Sequence, residues 1–205
     1  MTAQRILYVV DDEAVVRASI VSLVQAHGDF DCREYSGGEA FLAALDELEP
    51  GCVVLDLQLD GVNGMAVMEA LGGRPGFRMI IITGFGDLTV AIEAFQAGAV
   101  DFLYKPYEMR PLLEAIDRAQ HQIEHGADRA DLVAEAKAKI AKLGAAEAQV
   151  LAELVQGRTN QEIAQMHALD ARTVQVLRAR GLAALDAPSI LAAIRTMSIA
   201  GWPAP

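Results

Sequence analysis

Short apolar runs alternate with longer amphipathic stretches through the first 124 residues, and this alternation predicts strand–helix repeats. Strands are predicted at residues 6–10, 31–35, 52–57, 79–83 and 101–105, and helices at 14–26, 39–48, 65–71, 88–97 and 109–125. The first, third and fourth strand runs are almost continuously apolar, which is typical of parallel strands buried on both faces. The pattern therefore predicts an α/β fold with a five-stranded, doubly wound parallel sheet.

Beyond residue 143 the strand pattern disappears, and the remaining segments are helical. Helices are predicted at residues 145–156, 160–167, 171–185 and 189–197, with breaks at Gly157 and Pro188. The Ala-rich stretch before them carries scattered Lys, Asp and Glu, which indicates a helical or partly helical linker without a core of its own. We therefore predict an α/β domain at 1–124, a linker at 125–142 and a small all-α, four-helix domain at 143–205.

The composition is that of a globular protein. A chain of 205 residues suffices for two small domains, and an apolar fraction of 53% excludes a disordered chain. No apolar run reaches the roughly 18 residues of a membrane helix, and the N-terminus lacks the layout of a signal peptide. We expect a cytoplasmic protein with no membrane partner. Cys32 and Cys52 lack a metal-type spacing and are expected to be buried as small hydrophobic side chains.

The charge is unevenly distributed. A net charge of −11 would by itself argue against a nucleic-acid partner. Residues 1–124 contain 8 Lys and Arg against 20 Asp and Glu, whereas residues 143–205 contain 5 against 5. The acidity therefore belongs to the α/β domain, and the helical domain is neutral.

Polar residues occur where the predicted strands end. Asp11 and Asp12 follow the first strand, and Asp56 lies near the end of the third. Three converging carboxylates need a compensating cation, and oxygen ligands at this edge of a parallel sheet favour Mg²⁺. A carboxylate beside such an ion can attack phosphorus and form an acyl phosphate, for which Asp56 is the central candidate. The Thr83 hydroxyl and the Lys105 ammonium, at the ends of the last two strands, would bind the oxygens of the transferred group.

Four motifs make this set specific: VDDE at 10–13, the lone Asp56 after an apolar strand, TGFGD at 83–87 and GAVDFLYKP at 98–106. Together they resemble the receiver domain of bacterial two-component response regulators, over residues 4–124. The resemblance implies that a sensor histidine kinase phosphorylates Asp56. It also implies that Asp12 binds Mg²⁺ directly, that Asp11 acts largely through water, and that Asp56 and the backbone carbonyl of Gln58 complete the metal site.

The resemblance carries further expectations about conformation. The peptide bond between Lys105 and Pro106 should be cis, and Thr83 and Phe102 should form the switch pair of the family. After phosphorylation the hydroxyl moves toward the phosphoryl oxygen and the ring turns inward, which alters the face formed by the fourth helix and fifth strand. We expect two chains to form a homodimer through that face.

The loop after the third strand departs from the family, because residues 58–64 lack the usual Met-Pro pair. Gly61, Asn63 and Gly64 are good turn residues, so the loop is still expected to turn. We expect an altered lifetime of the phosphoryl group rather than a loss of phosphorylation.

The helical segment contains a second set of motif positions: Leu143, Glu147, Val150, Leu151, Gly157, residues 160–164 and residues 172–176. These resemble the helix-turn-helix of NarL/FixJ (LuxR-type) regulators over residues 143–202. In this interpretation Asn160 caps a short helix, residues 168–170 form the turn, and the next helix enters the major groove of double-stranded DNA. That helix should bury Val174, Leu177 and Leu182. Its expected DNA contacts are Arg172, Thr173, Gln175, Arg178 and Arg180.

The recognition helix is poor in basic residues for this role. Ala184 occupies a position that is usually basic, and Asp170 and Asp186 flank the helix. Few phosphate contacts predict modest affinity unless dimerisation doubles them. Two hypotheses follow: a phosphorylation-controlled transcription factor, or a response regulator whose degenerate helical domain acts by protein contact or as a phosphate sink. A metal hydrolase is disfavoured because the acidic motifs contain no histidine; we expect no enzyme activity beyond self-directed phosphoryl transfer and slow autodephosphorylation.

Overall fold

The computed structural model describes residues 5–84, 88–125 and 129–202. Contacts between residues divide this part of the chain into two compact units. The first unit comprises residues 5–84 and 97–125, and the second comprises residues 88–96 and 129–202.

Five strands form a sheet in the first unit, in the order β2-β1-β3-β4-β5. They are β1 (Arg5–Val10), β2 (Phe30–Tyr35), β3 (Cys52–Asp56), β4 (Arg78–Thr83) and β5 (Asp101–Tyr104). All four neighbouring pairs are parallel. This confirms the predicted five-stranded α/β fold, and no strand end differs from its prediction by more than one residue.

Ten α-helices lie within the described part of the chain. They are α1 (Ala14–His27), α2 (Gly38–Ala44), α3 (Gly64–Leu71), α4 (Leu88–Gln96), α5 (Met109–Glu124), α6 (Arg129–Ile140), α7 (Ala145–Val155), α8 (Asn160–Met166), α9 (Ala171–Ala184) and α10 (Ile190–Ile199). A short 3-10 helix, Leu45–Glu47, follows α2 directly. The single helix predicted at residues 39–48 therefore consists of an α-helix and a 3-10 helix. By its contacts, α4 groups with the helices of the second unit.

The core of the first unit follows from the alternation of side chains along each strand. Apolar residues on one face of the sheet cluster with residues of α1 and α5: Leu7, Val9, Val54, Ile80, Ile82, Ile20, Val24, Leu112 and Ile116. Tyr8 points to the opposite face, where its ring centroid lies 6.1 Å from that of Phe41 in α2. Cys52 is buried as predicted, whereas Cys32 is only half-buried. Because each fully buried large apolar side chain contributes about 1.5–3 kcal/mol, burial on both faces stabilises the sheet.

The second unit is built around helix packing. α7 and α8 pack against α9, and α10 packs against α4 and α6. Most of the stretch that was predicted to be a helical or partly helical linker forms α6, and Ala136 in this helix is buried. Among the described residues, no helix is both long enough and apolar enough to span a lipid bilayer.

Close packing between α7 and α9 depends on a glycine. A Cβ atom at Gly181 would lie 2.9 Å from a methyl carbon of Leu151, so a larger residue would require the Leu151 side chain to shift. On α9, Val174 is buried as predicted, whereas Leu177 and Leu182 are half-buried. The inward face of α9 therefore includes Gly181. The sequence pattern did not reveal this position, because glycine has no apolar side chain.

The beginning of α8 corrects one prediction. Thr159, rather than Asn160, is the N-cap residue: its Oγ1 accepts a hydrogen bond from the Glu162 backbone N–H at 3.3 Å. In return, the Glu162 carboxylate accepts from the Thr159 backbone N–H at 2.7 Å. This reciprocal capping box satisfies two N–H groups at the helix end, whereas a single Asn cap would satisfy one.

Candidate functional site

The strand order brings the acidic residues together. Asp56 is the last residue of β3, and Asp11 directly follows β1, the neighbouring parallel strand. In the register of this pair, Val10 lies opposite Leu55, so the next residues along the two strands are also neighbours. Ligands of open parallel sheets bind beyond strand ends of this kind, where the order of the strands reverses.

Lys105, directly after β5, reaches both of these carboxylates. Its Nζ donates to Asp56 Oδ2 at 2.6 Å and to Asp11 Oδ2 at 2.8 Å. The other oxygens of the two carboxylates accept backbone N–H groups: Glu13 donates to Asp11 Oδ1, and Gln58 donates to Asp56 Oδ1, both at 2.8 Å. All four carboxylate oxygens therefore have a hydrogen-bond partner, and the acidic pocket, defined by Asp11, Asp12, Asp56 and Lys105, has a fixed geometry.

Burial sets the electrostatics of the acidic pocket. Asp11 is fully buried, and Asp56 is 3% exposed. Burial raises the pKa of Asp56, and the hydrogen bonds from Lys105 and the Gln58 backbone offset only part of that rise. Burial also acts to lower the pKa of Lys105, but hydrogen bonds to Asp11 and Asp56 outweigh it and raise the pKa. The Lys105 side chain therefore stays protonated in the pocket. A second carboxylate charge beside it is unfavourable unless another cation compensates it.

The same carboxylates can hold a metal ion. Asp11, Asp12 and Asp56 each offer a ligand oxygen, and these atoms lie within 4.8 Å of one another. The pocket contains three carboxylates, and Lys105 pairs with two of them, those of Asp11 and Asp56. This excess of negative charge in a largely buried place fits a divalent cation with oxygen ligands. Glu13, whose Oε1 lies 3.6 Å from Lys105 Nζ, adds to the negative charge at the rim.

The predicted switch residues lie on adjacent strands. Thr83 is fully buried at the end of β4, and Phe102 is 1% exposed on β5. The Phe102 ring makes an edge contact with Tyr104, with the ring centroids 5.1 Å apart. The peptide bond between Lys105 and Pro106 is cis, as predicted. Residues 85–87 of the TGFGD motif lie outside the described residues.

The loop after β3 turns as predicted without the Met-Pro pair. Gly61 has φ +86°, a value that favours glycine, and Asn63 caps α3 by accepting from the Met65 backbone N–H at 3.0 Å. A Cβ atom at Gly64 would lie 2.3 Å from the backbone oxygen of Asp56. The loop therefore folds tightly over the chain that carries Asp56.

Helix α9 presents a sparse polar surface. Arg172 and Gln175 are exposed, and Arg178 is half-exposed. Arg180 is exposed, but its Nε lies 3.1 Å from Oε1 of Glu147, a residue of α7 whose side chain is 12% exposed. The guanidinium of Arg180 is thus already paired within the unit.

Thr173 has a structural partner as well. Its hydroxyl donates to Asp170 Oδ2 at 2.7 Å, and its backbone N–H donates to Asp170 Oδ1 at 2.8 Å. Asp170 is therefore the N-cap of α9, a role that was missed although the D-x-x-T spacing in the sequence could have revealed it.

Comparison with known proteins defines the class. Residues 7–117 match the family described as response regulator receiver domain, and residues 141–197 match bacterial regulatory proteins of the luxR family. The chain belongs to the response regulators of the NarL/FixJ class, with a receiver domain and a LuxR-type domain.

Its relatives extend over almost the full chain. The chain is 35% identical to the transcriptional regulatory protein FixJ of Bradyrhizobium diazoefficiens, with 98% of each chain covered. It is also 35% identical to the FixJ protein of Rhizobium meliloti, with 95% of each covered. Among solved structures, full-length FixJ from B. japonicum matches with a TM-score of 0.56 at 35% identity, covering 98% of both chains.

Proposed function

We propose that the chain is a response regulator whose Asp56 is phosphorylated by a sensor histidine kinase, and that phosphorylation controls transcription through DNA binding by the LuxR-type domain. The observation that carries this proposal is the acidic pocket. There, Lys105 Nζ bridges Asp56 and Asp11 at 2.6 and 2.8 Å, with Asp12 within ligand reach. An uncompensated carboxylate cluster would be costly to bury, so a phosphoryl-transfer site explains it better than a structural one.

The transfer itself is a displacement at phosphorus. A carboxylate oxygen of Asp56 forms the new O–P bond, while the N–P bond of the kinase phosphohistidine breaks and its electron pair returns to the imidazole nitrogen, which takes up a proton. Lys105 would pair with the transferred oxygens, and the hydrogen bond from its Nζ to Asp56 Oδ2 supports this role. The Thr83 hydroxyl would donate to a phosphoryl oxygen. The same carboxyl phosphate hydrolyses slowly, which is the autodephosphorylation we expect.

A bound Mg²⁺ would neutralise charge on the transferred group, and the residues present suit it. Asp12 would bind it directly, Asp11 largely through water, and Asp56 and the Gln58 carbonyl would complete the ligand set. The backbone bond from Gln58 to Asp56 Oδ1 supports this assignment, because it fixes the turn that carries the carbonyl.

Phosphorylation would then alter the switch pair of Thr83 and Phe102 and favour a homodimer. The added charge of about −1.5 to −2 is large for a buried site and can bias such an element. The burial of both switch side chains supports a coupled movement, since neither can shift without its neighbours.

For the DNA contacts we propose Arg172, Thr173, Gln175, Arg178 and Arg180 on α9. Support comes from the luxR-family match over residues 141–197 and from relatives that are named transcriptional regulatory proteins.

We also propose the domain division 1–124, 125–142 and 143–205, and a cytoplasmic location shared with the kinase and the DNA. The alternative is a domain that acts by protein contact or as a phosphate sink; in its favour is only that the ion pair with Glu147 occupies Arg180, one of the few cations of α9.

One binding experiment separates the two functions. Binding of the full chain to duplex DNA from its own promoter region is measured by fluorescence anisotropy at two salt concentrations, with and without Mg²⁺ and beryllofluoride. Salt-sensitive, competitor-resistant binding that needs beryllofluoride supports the transcription factor. Dimerisation by light scattering without DNA binding supports the alternative. If beryllofluoride changes neither the oligomeric state nor DNA binding, the proposed control by phosphorylation is wrong.

A further inference from the structure

Arg17 lies in the first turn of α1, beside the loop that carries Asp11 and Asp12. Its side chain is only 14% exposed. The Nη1 atom donates to the backbone oxygen of Asp11 at 2.8 Å and to that of Asp12 at 3.1 Å. Its Nε donates to Glu34 Oε2 on β2 at 3.3 Å. One guanidinium thus connects the loop after β1, helix α1 and strand β2.

These contacts act on the backbone that carries two of the three acidic residues. The Asp11 carboxylate is held by Lys105 and by the Glu13 backbone N–H. The Asp12 side chain is half-buried, so its position depends more on where the backbone places it. Because Arg17 bonds to the carbonyls of the two peptide units that flank Asp12, it fixes the direction in which Asp12 leaves the strand.

The chemistry of the side chain suits this task. A guanidinium is planar and always charged, and it presents several donors in a fixed arrangement, whereas a lysine ammonium is a flexible point charge. Glu34 holds the guanidinium from the other side, which reduces its freedom to leave the carbonyls. Residues that orient metal ligands from outside the coordination shell commonly change metal affinity by about 10- to 100-fold when they are replaced.

We propose that Arg17 is a positioning residue of the metal site: by holding the Asp11 and Asp12 carbonyls against Glu34, it sets the Asp12 carboxylate for Mg²⁺ binding. This inference rests on the proposed function, which places Mg²⁺ in the acidic pocket. Because Arg17 bonds to backbone carbonyls, it would touch neither the metal nor the phosphoryl group, so its replacement should weaken metal binding and leave the transfer step intact once the site is filled.

The test compares Arg17→Met and Arg17→Lys with the wild-type chain and with Arg33→Met. Arg33 is a matched control, because it lies on β2 and pairs with Asp31 and Glu49 at 2.8 and 3.1 Å, without a bond to the pocket. The Mg²⁺ dissociation constant is measured by calorimetry without any phosphodonor. Labelling by acetyl phosphate is then followed as a function of Mg²⁺ concentration.

For Arg17→Met we expect Mg²⁺ affinity to fall about tenfold, with the labelling rate at saturating Mg²⁺ unchanged. Arg17→Lys should lie between Arg17→Met and wild type, because it restores the charge but not the fixed pair of donors. Glu34→Gln should shift affinity in the same direction by less, and Arg33→Met should bind as wild type does.

Equal Mg²⁺ affinity in wild type and Arg17→Met overturns the inference alone. A wild-type chain that binds no Mg²⁺ overturns the metal part of the proposed function and the inference with it. If circular dichroism shows Arg17→Met to be unfolded, Arg17→Lys and Glu34→Gln decide, and wild-type affinity in both contradicts the positioning role.

Discussion

The acidic pocket and the α9 surface differ in how their functional side chains are held. In the pocket, Lys105 and two backbone N–H groups fix the Asp11 and Asp56 carboxylates at 2.6 to 2.8 Å, and both residues are buried. On α9, Arg172 and Gln175 are exposed to solvent. A pocket for chemistry must be organised before its substrate arrives, whereas a DNA-reading surface gains its partners on binding.

The two regions also differ in charge. The first 124 residues carry 20 Asp and Glu against 8 Lys and Arg, whereas residues 143–205 carry 5 of each. Arg180 is committed to Glu147, which reduces the cations available for phosphate contacts. The acidic pocket is therefore held by a compact set of mutual bonds, whereas the α9 surface offers few cations.

The sharpest test of the pocket is Asp56→Asn. An amide cannot act as the nucleophile, so acetyl phosphate labelling should fall to the background of heat-denatured protein. Phosphate incorporation is measured by mass spectrometry of the intact chain. Asp60→Asn, an exposed position in the same loop, is the matched control and should label normally. Labelling retained in Asp56→Asn would show that another carboxylate is the acceptor.

On α9, two arginines should behave differently. Arg172→Ala should lower DNA affinity of the beryllofluoride-activated chain by about 5- to 150-fold, which corresponds to 1–3 kcal/mol for a base contact, and should leave Tm unchanged. Arg180→Ala should lower affinity by less, but it should lower Tm because the poorly exposed Glu147 carboxylate loses its partner. Anisotropy and calorimetry measure the two effects.

A larger loss of DNA affinity in Arg180→Ala than in Arg172→Ala, with Tm unchanged, would contradict this difference between the two arginines. Arg180 would then leave Glu147 and contact DNA, and the ion pair would be a resting arrangement. Arg195→Ala on α10 is a control for the loss of one positive charge away from α9.

The sequence predicted the pocket well for a physical reason. Strand ends can be located from apolar runs, and parallel topology brings those ends together, so Asp11, Asp56 and Lys105 could be grouped without coordinates. Arg17 escaped detection because it acts on backbone carbonyls, and such bonds leave no mark in the pattern of residue types.

The helical unit was predicted less completely. Helix positions followed from apolar periodicity, but the cap of α8 at Thr159 and the pairing of Arg180 depend on local geometry. The grouping of α4 with α10 depends on contacts between segments distant in sequence, which periodicity does not reveal.

The pKa of Asp56 gives a pH-dependent prediction for stability. Because burial raises this pKa in the folded chain, the group favours folding at low pH, and that contribution is lost as the pH rises through the raised pKa. Without divalent cations, Asp56→Asn should therefore have a higher Tm than wild type at pH 8, by roughly 2–4 °C for about 1 kcal/mol. The difference should shrink as the pH falls.

Calorimetric melts in EDTA, from pH 8 downward, measure the difference in Tm between the wild-type chain and Asp56→Asn. Added Mg²⁺ should raise the Tm of the wild-type chain more than that of Asp56→Asn, because the ion supplies the missing positive charge. Asp60→Asn serves again as the exposed control. A wild-type chain more stable than Asp56→Asn in EDTA at pH 8 would contradict the unfavourable burial of the Asp56 charge.

The smallest expected effect concerns the turns of the two regions. The receiver has glycine where its loop requires it, since Gly61 has φ +86°, whereas the turn between α8 and α9 has Ala168 at φ +52°. Alanine is strained in this left-handed region, so Ala168→Gly should stabilise the second unit by about 0.5–1 kcal/mol. Ala179→Gly, at an exposed helical position on α9, should destabilise it by a similar amount. Urea unfolding of the full chain measures both, and equal destabilisation by the two substitutions would show that the Ala168 conformation carries no strain.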